Sequence, residues 1–212
     1  MIDSEGAARE WLRALPECDD AALARIETLI ALLREENGRQ NLVSAASLDD
    51  VWRRHIVDSA QLLPHVPRGT EPWLDLGTGA GFPGLVIAAL RPECDVLMVE
   101  SRKRRVEWLE RACAMLGLPH ARVLGTRLEA VPAQDVGVIS ARAFAPLERL
   151  LDLSARFSTS DTLWLLPKGA SAAQELASLR NWHHQFHVEQ SLTDPQSGII
   201  VGTIHARKGK AS

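Results

Sequence analysis

Cysteine is scarce in this sequence of 212 residues, and its three occurrences lie far apart. Because Cys18, Cys94 and Cys113 are odd in number and widely spaced, they indicate neither a disulfide framework nor a zinc cluster. None of them follows a proline, which excludes the Pro-Cys nucleophile of enzymes that methylate carbon 5 of cytosine. We expect buried free thiols and no metal site.

Long hydrophobic runs are missing too. No apolar stretch approaches the ~20 residues that a membrane-spanning helix needs. The first residues also lack the basic and apolar segments of a secretory signal. We therefore expect a cytoplasmic protein with no membrane partner, built around one sizeable core.

Positive charge is not in excess, because the formal net charge is -3 and the isoelectric point is about 6.2. Phosphate contacts need a basic surface, so any nucleic-acid site must be a local patch. The Arg-Lys-Arg-Arg run at residues 102–105 is one candidate, with a solvated helix face as the alternative. Other basic residues that extend such a patch are Arg53, Arg54, His55, Lys168, Arg207, Lys208 and Lys210.

The first third of the chain has a helical pattern. Residues 4–65 carry apolar side chains at helical spacing, and Asn37 followed by Gly38 is a typical helix stop. We expect an N-terminal helical cap at 1–68 and a second domain at 69–212, packed together as one unit in a monomer.

From residue 72 onward, short apolar runs alternate with amphipathic segments, which is typical of an α/β fold with a parallel sheet. The pattern predicts a Rossmann-like, seven-stranded, mostly parallel sheet that ends in an antiparallel hairpin. The predicted strands are 73–76, 96–99, 121–124, 136–139, 162–166, 186–189 and 199–205. The predicted helices between them are 84–90, 103–116, 146–157 and 171–179.

The first predicted strand runs into a glycine-rich turn that contains Gly77, Gly79, Gly81 and Gly84. The last three glycines also match the dinucleotide pattern GxGxxG, so a nicotinamide dinucleotide is one candidate ligand. A pyrophosphate is anionic, however, and Asp75 places a carboxylate beside the turn. S-adenosylmethionine carries an ammonium and a sulfonium, which a carboxylate near Gly77 and Gly79 attracts. We favour S-adenosylmethionine as the cofactor.

Two more acids follow the next two strands. Glu100 ends the second strand, where its carboxylate can accept both hydroxyls of a ribose. Leu128 and Glu129 follow the third strand, where the leucine can pack on adenine and the backbone and Glu129 can bind its exocyclic amine. Because the carboxyl ends of parallel strands share one edge of the sheet, we expect these side chains and Asp75 to line one cofactor site.

Several motifs are similar to those of a known family. They are Asp75-Leu76-Gly77-Thr78-Gly79-Ala80-Gly81-Phe82-Pro83-Gly84, Glu100-Ser101-Arg102-Lys103-Arg104, Ile139-Ser140-Ala141-Arg142-Ala143-Phe144 and Pro167-Lys168-Gly169. Together with the stretches 41–44 and 55–59, they resemble the glucose-inhibited division protein B (RsmG) family, whose members methylate small-subunit ribosomal RNA. The resemblance extends from about residue 37 to the end of the chain.

The resemblance implies a class I S-adenosylmethionine-dependent methyltransferase that modifies N7 of a guanine, guanine 527 in the family, in the 530 loop of 16S ribosomal RNA. Its partner is then that RNA or the small ribosomal subunit. The residues that match cofactor-binding positions of the family are Gly77, Phe82, Leu128, Glu129 and Arg142. Glu100 departs from the aspartate that is common in the family, and Ala141 from a serine.

The residues at the end of the fourth predicted strand suit methylation at guanine N7. N7 carries a lone pair and no proton, so positioning suffices and no general base is needed. Arg142 stands where enzymes acting on exocyclic amines have an Asp-Pro-Pro-Tyr or Asn-Pro-Pro-Tyr motif. We expect Arg142, with Lys168, to position the substrate through a phosphate or guanine O6. An ion pair of Arg142 with Glu129 or Asp75 is the alternative.

Two further pairs of residues suggest roles that the sequence supports less strongly. Phe82 and Phe144 are candidates for stacking on a flipped base, with a place in the core as the alternative. His55 and Asp58 are three residues apart on a predicted helix, which favours a buried hydrogen-bonded pair over contact with the substrate.

Two other functions stay open at this point. One is a methyltransferase that acts on a small molecule or a protein. The other is a module of the same fold that binds RNA or senses the cofactor without turnover, which the combination of Asp75, Glu100 and Arg142 disfavours.

Overall fold

The computed structural model describes residues 1–207. The N-terminal region is helical, and side chains cap its first helices: the Ser4 hydroxyl accepts from the Ala7 amide, and the Asp19 carboxylate accepts from the Ala22 amide. The elements are α1 (Glu5–Arg13), α2 (Asp20–Asn37), α3 (Ala45–Asp49), a π-helical segment (Trp52–Val57), α4 (Asp58–Ala60) and a 3₁₀ turn (Leu63–His65). None of the helices in the described part is both long and apolar enough to cross a bilayer.

The rest of the chain alternates strands and helices around one main sheet. The strands are β1 (Trp73–Leu76), β2 (Val96–Val99), β3 (Ala121–Leu124), β4 (Val138–Ala141), β5 (Leu163–Gly169), β6 (Trp182–His184), β7 (His187–Gln190), β8 (Gly198–Gly202) and β9 (Ile204–Arg207). The helices are α5 (Gly84–Leu90), α6 (Lys103–Leu116), α7 (Leu147–Ser154) and α8 (Ala172–Ser178), and short 3₁₀ turns lie at Leu128–Ala130 and Ala155–Phe157.

The main sheet has seven strands in the order β3-β2-β1-β4-β5-β8-β7. The first five strands of the chain pair in parallel, and β8 pairs antiparallel with both β5 and β7. The predicted α/β fold with a mostly parallel sheet and an antiparallel end is therefore confirmed. Every residue of β1, β2 and β4 is buried, as expected for central strands that are covered on both faces.

Three strand predictions need correction. The fifth strand runs from Leu163 to Gly169 instead of 162–166, because Pro167 and Gly169 still pair with β8. The fourth strand begins at Val138 instead of residue 136, because the amide of Val136 donates to the Phe157 carbonyl and pairing with β1 starts at Val138. The last predicted strand is broken after Gly202, whose φ of 144° other residues rarely adopt. The piece beyond the break, β9, pairs with β6 in a separate two-stranded sheet that the sequence pattern did not predict.

The N-terminal helices and one face of the sheet share a core. Buried members of this core include Leu12, Ile26 and Leu33 from the helices and Val86, Met98 and Trp108 from the α/β part. A buried ion pair joins the two parts as well, since Arg91 donates to Glu17 at 2.8 Å and to the carbonyl of Val66 at 2.9 Å. The division at residues 68 and 69 stays a prediction.

Candidate active site

The turn between β1 and α5, residues 77–84 (the glycine turn), depends on its glycines. Gly77, Gly79 and Gly81 have φ values of 62°, 60° and 106°, a region that other residues rarely adopt. A Cβ on Gly77 would overlap the ring of Phe144. The turn therefore brings bare backbone to the carboxyl edge of the sheet.

Asp75 lies under this turn and is fully buried. Its carboxylate accepts hydrogen bonds from the Thr78 hydroxyl, from the Gly84 amide at 3.0 Å and from the Ser140 hydroxyl at 2.7 Å. Burial raises the pKa of this carboxyl, and its hydrogen bonds act in the opposite direction. Asp75 thus holds the glycine turn in shape, and direct contact between its carboxylate and a cofactor stays a prediction.

Glu100 directly follows β2 and is also buried, with 6% of its surface exposed. One carboxylate oxygen, Oε1, accepts from the amides of Ser101 at 2.7 Å and Arg102 at 2.8 Å. The other, Oε2, lies 3.8 Å from the Arg105 guanidinium. This guanidinium also lies 3.3 Å from the position that a Cβ on Gly79 would occupy. Glu100 is therefore anchored through one oxygen and directs the other toward the turn.

In the basic run at 102–105, Arg102, Lys103 and Arg104 are exposed and Arg105 is partly buried. Arg105 pairs with Glu100, Lys103 lies 3.9 Å from Glu107, and Arg104 donates to the carbonyl of Arg39 at 3.2 Å. Contact of the run with phosphates stays a prediction. Lys208 and Lys210 of the predicted patch lie outside the described residues.

A small cavity of about 390 Å³ lies at the carboxyl ends of β2 and β3. Residues that line this small cavity include Ser101, Leu128, Glu129 and Phe144. Leu128 is buried and Glu129 is exposed, so the cavity offers an apolar side chain and a carboxylate next to Ser101, the residue that follows Glu100. The structure thus brings together the two residues predicted to hold adenine, with the predicted ribose ligand Glu100 one residue before the cavity lining, and their roles stay predictions.

A large cavity of about 700 Å³ lies on the other side of the loop between β4 and α7. It is lined by the N-terminal helices, by this loop, by the end of β5 and by the segment around β8. Phe144, Ala145 and Pro146 line both cavities. The β4–α7 loop, residues 142–146, is therefore their common wall.

Arg142 projects from the β4–α7 loop into a set of contacts with the N-terminal helices. Its Nη1 donates to Asp58 Oδ2 at 3.2 Å, and its Nη2 donates to His55 Nδ1 at 3.3 Å. Its guanidinium carbon lies 5.3 Å from the centre of the Phe82 ring. The ion-pair partner is Asp58, so the alternative pairing with Glu129 or Asp75 is wrong.

His55 is buried and stacks on Phe82, with ring centres 4.8 Å apart. Burial, and then the positive charge of Arg142, lower the pKa of His55 to about 3, so the ring is neutral near pH 7. Because arginine only donates, His55 Nδ1 accepts and Nε2 carries the proton, which it donates to Ser47 at 3.1 Å. The predicted hydrogen bond between His55 and Asp58 is wrong, since both residues bind Arg142 instead.

The two aromatic candidates differ in exposure. Phe82 is 2% exposed and lies under His55 and Arg142, so the hypothesis that it stacks on a flipped base is wrong for this arrangement. Phe144 is partly exposed and faces both cavities. Only Phe144 has a surface on which a base can stack.

Lys168 is nearly buried and holds the common wall. Its Nζ donates to the carbonyl of Ala145 at 2.6 Å and lies 3.0 Å from Glu175 Oε2. The same oxygen of Glu175 accepts from the Leu147 amide at 2.8 Å. Sequence reasoning named Lys168 but missed Glu175, because no local motif marks a residue on α8 as a partner of this loop.

No other group in the described part points to a different chemistry. Residues 1–207 contain no cluster of three or more metal-binding side chains. Cys94 and Cys113 are buried, and burial raises the pKa of both thiols to about 11, so they are unreactive near pH 7. Cys18 is partly exposed.

Comparison with known proteins gives one family. Residues 22–196 match the GidB family model, described as rRNA small subunit methyltransferase G. The chain is 59% identical over 208 residues to the ribosomal RNA small subunit methyltransferase G of Erythrobacter litoralis, covering 98% of this chain and 100% of that protein. It is 57% identical to the protein of the same name from Novosphingobium aromaticivorans, covering 98% and 92% of the two chains.

Solved structures with low sequence identity share the fold. A mutant of MtNAS in complex with S-adenosylmethionine superposes with a TM-score of 0.59 at 14% identity, covering 96% of this chain and 85% of the other. A SAM-dependent methyltransferase from Aquifex aeolicus superposes with a TM-score of 0.55 at 15% identity, covering 84% and 98%.

Proposed function

The chain belongs to the rRNA small subunit methyltransferase G family, and from this premise we propose that it methylates N7 of a guanine in the 530 loop of 16S ribosomal RNA. It is a methyltransferase that uses S-adenosylmethionine, so a nicotinamide dinucleotide is no longer a candidate ligand. The atom and the position on the RNA are the parts that we propose.

The small cavity and the glycine turn fit the methyl donor. Glu100 Oε2, beside Arg105 and the turn, would accept from the ribose hydroxyls, and Leu128 offers an apolar surface for adenine. Gly77 and Gly79 would let the donor approach the backbone closely. When bound, S-adenosylmethionine supplies an electrophilic methyl group on a sulfonium. The chain's own residues orient it and exclude water.

The large cavity would then receive the flipped base. The observation that carries this proposal is that the two cavities share the β4–α7 loop as their wall, with Arg142 on the side away from Leu128. Arg142 is held by Asp58, His55 and Phe82, so its guanidinium is oriented before substrate binds. N7 needs no deprotonation, so such positioning is sufficient for transfer.

The substrate class is ribosomal RNA, as in the family. We further propose that the protein acts as a monomer in the cytoplasm, without a metal ion and without a membrane. We also propose that the N-terminal helical cap, 1–68, and the domain at 69–212 work as one unit, since both line the large cavity.

Mass-spectrometric mapping of modified nucleosides tests the proposal directly. We expect one guanine of the 530 loop to lack its methyl group in a strain without this protein, and to regain it when the wild-type protein is restored. Arg142→Ala should lower the methylation rate about 100-fold, because positioning is lost. Calorimetry with S-adenosylmethionine on the same variant tests separately whether Arg142 also contacts the cofactor, as its match to a cofactor-binding position of the family implies. Methyl transfer to a protein or a small molecule, with unchanged RNA, would contradict the proposal.

A further inference from the structure

Arg142 and Asp58 stand side by side on the wall of the large cavity. Their nearest atoms, Nη1 and Oδ2, are 3.2 Å apart, and 24% and 21% of the two side chains are exposed. The pair therefore presents a hydrogen-bond donor next to an acceptor on a surface that a ligand can reach.

Neither side chain is saturated by its protein contacts. Asp58 Oδ1 accepts from the Thr193 hydroxyl at 2.9 Å and from Gln61 Nε2 at 3.1 Å, whereas Arg142 is the one donor to Oδ2 within the described residues. A carboxylate has about four acceptor positions, so Oδ2 can accept a second hydrogen bond. Arg142 has five N–H donors, and its hydrogen bonds in residues 1–207 go to Asp58, His55 and the carbonyl of Arg54. Donors are therefore left for a ligand.

The Arg142 donor beside the Asp58 acceptor is complementary to guanine and not to adenine. Guanine presents an acceptor, O6, directly beside a donor, N1–H. Adenine has the reverse order, with the N6 amino group beside the acceptor N1. Because O6 lies between N1 and N7 on the base, a pair that binds O6 and N1–H leaves N7 unobstructed. Enzymes that act on flipped bases commonly read this same Watson–Crick edge.

We propose that Asp58 determines specificity for guanine: its Oδ2 accepts N1–H of the flipped base while Arg142 donates to O6. This inference rests on the proposed function, because it assigns the base that enters the large cavity. It gives Asp58 a direct contact with substrate in addition to its support of Arg142.

Neighbouring side chains hold Arg142 and Asp58 in fixed positions. The Thr193 and Gln61 side chains hold Asp58 from one side, and the His55 ring and the Phe82 face hold Arg142 from the other. His55 accepts from Arg142 only in its neutral form, and its pKa of about 3 keeps it neutral near pH 7. A fixed pair loses little conformational entropy when it binds a base.

Base analogues test the inference in a way that a purely structural role of Asp58 cannot mimic. Small ribosomal subunits are reconstituted with RNA that carries guanine, inosine or 2-aminopurine at the methylated position. Inosine keeps O6 and N1–H and lacks only the 2-amino group, whereas 2-aminopurine lacks O6 and has an acceptor at N1. For the wild-type protein we expect kcat/KM for inosine within about fivefold of guanine, and at least about 100-fold lower values for 2-aminopurine.

The informative variant is Asp58→Asn, whose amide can donate to N1 of 2-aminopurine. We expect the ratio of kcat/KM between guanine and 2-aminopurine to fall at least about tenfold in this variant. Asp194→Asn is the matched control, because Asp194 lines the same cavity and lies 3.8 Å from Arg54. It should leave the ratio unchanged.

Each other outcome overturns the inference. An equal loss on all three substrates in Asp58→Asn would show that Asp58 only supports Arg142. A loss of discrimination in Asp194→Asn, or an inosine rate as low as that of 2-aminopurine, would place recognition elsewhere. If the wild-type protein does not methylate the guanine-containing subunits, the proposed function itself fails, which separates the two results.

Discussion

The glycine turn and the large cavity lie at the same edge of the sheet, but they are assembled over different distances along the chain. Two of the three donors to Asp75 are near in the chain, the side chain of Thr78 three residues away and the amide of Gly84 nine residues away, and only Ser140 is distant, at 65 residues. Asp58 binds Arg142, which is 84 residues away in the chain, and Thr193, which is 135 residues away. The glycine turn is thus largely a local motif, whereas the large cavity exists only when distant segments have folded together.

This difference predicts which changes damage the fold and which damage recognition. Changes in the glycine turn remove contacts from the centre of the sheet and should lower stability. Changes around the large cavity should alter recognition or pH dependence at a smaller cost in stability.

The largest effect is expected for Asp75→Ala. The substitution leaves the Thr78 hydroxyl, the Gly84 amide and the Ser140 hydroxyl without their buried acceptor, which should lower the free energy of unfolding by about 3–5 kcal/mol. Urea unfolding at pH 7 measures it. Asp75→Asn keeps one acceptor oxygen and should cost less. A loss below about 1 kcal/mol would mean that the turn is not held by this carboxylate.

Glu100→Ala should separate cofactor binding from folding. We expect binding of S-adenosylmethionine to weaken about 100-fold, because the carboxylate is the predicted partner of the ribose hydroxyls. Circular dichroism should show an intact fold. Glu107→Ala is the control, since Glu107 is an exposed acid on α6. Unchanged affinity in calorimetry would remove Glu100 from the cofactor site.

A smaller effect concerns pH and the large cavity. The pKa of His55 is about 3 in the folded chain against 6.5 as its ordinary value, so the unfolded chain binds more protons between these values. Stability should therefore rise with pH across this window and be lost as the pH falls below 6.5. From pH 6.5 to pH 5 the wild-type protein should lose about 2 kcal/mol more than His55→Gln.

Urea unfolding of both proteins at the two pH values provides the measurement. Equal losses in the wild-type protein and in His55→Gln would show that His55 titrates normally. Arg142 would then not be held by a neutral ring.

The smallest effect is expected for Glu175→Gln, which weakens the support of the common wall. Lys168 and the Leu147 amide both bind Glu175, so the loss of its charge should cost about 1 kcal/mol of stability. Because the β4–α7 loop borders both cavities, cofactor affinity and turnover should each fall about threefold. Steady-state kinetics and calorimetry measure the two effects. A change in only one of them would show that the wall does not couple the cavities.

Much of the fold could be predicted because its signals are local. The strands β1, β2 and β3 and the helices α5 and α6 have the predicted bounds, since apolar runs and glycines mark their ends. Parallel topology then brings Glu100, Leu128 and the glycine turn to one edge, which follows from the fold class alone. The pairing of β6 with β9 could not be predicted, because strand partners far apart in the chain leave no local pattern.

The amino-acid sequence by itself determined the α/β class, the position of the glycine turn and the acids beside it, because periodicity, glycine conformation and strand direction act over a few residues. Only the tertiary structure decided that Phe82 is buried under His55, that Arg142 pairs with Asp58, and that one loop separates two cavities. The reason is physical: the partner of a charged side chain is set by which surfaces pack against it, and that packing joins segments that are distant in the chain.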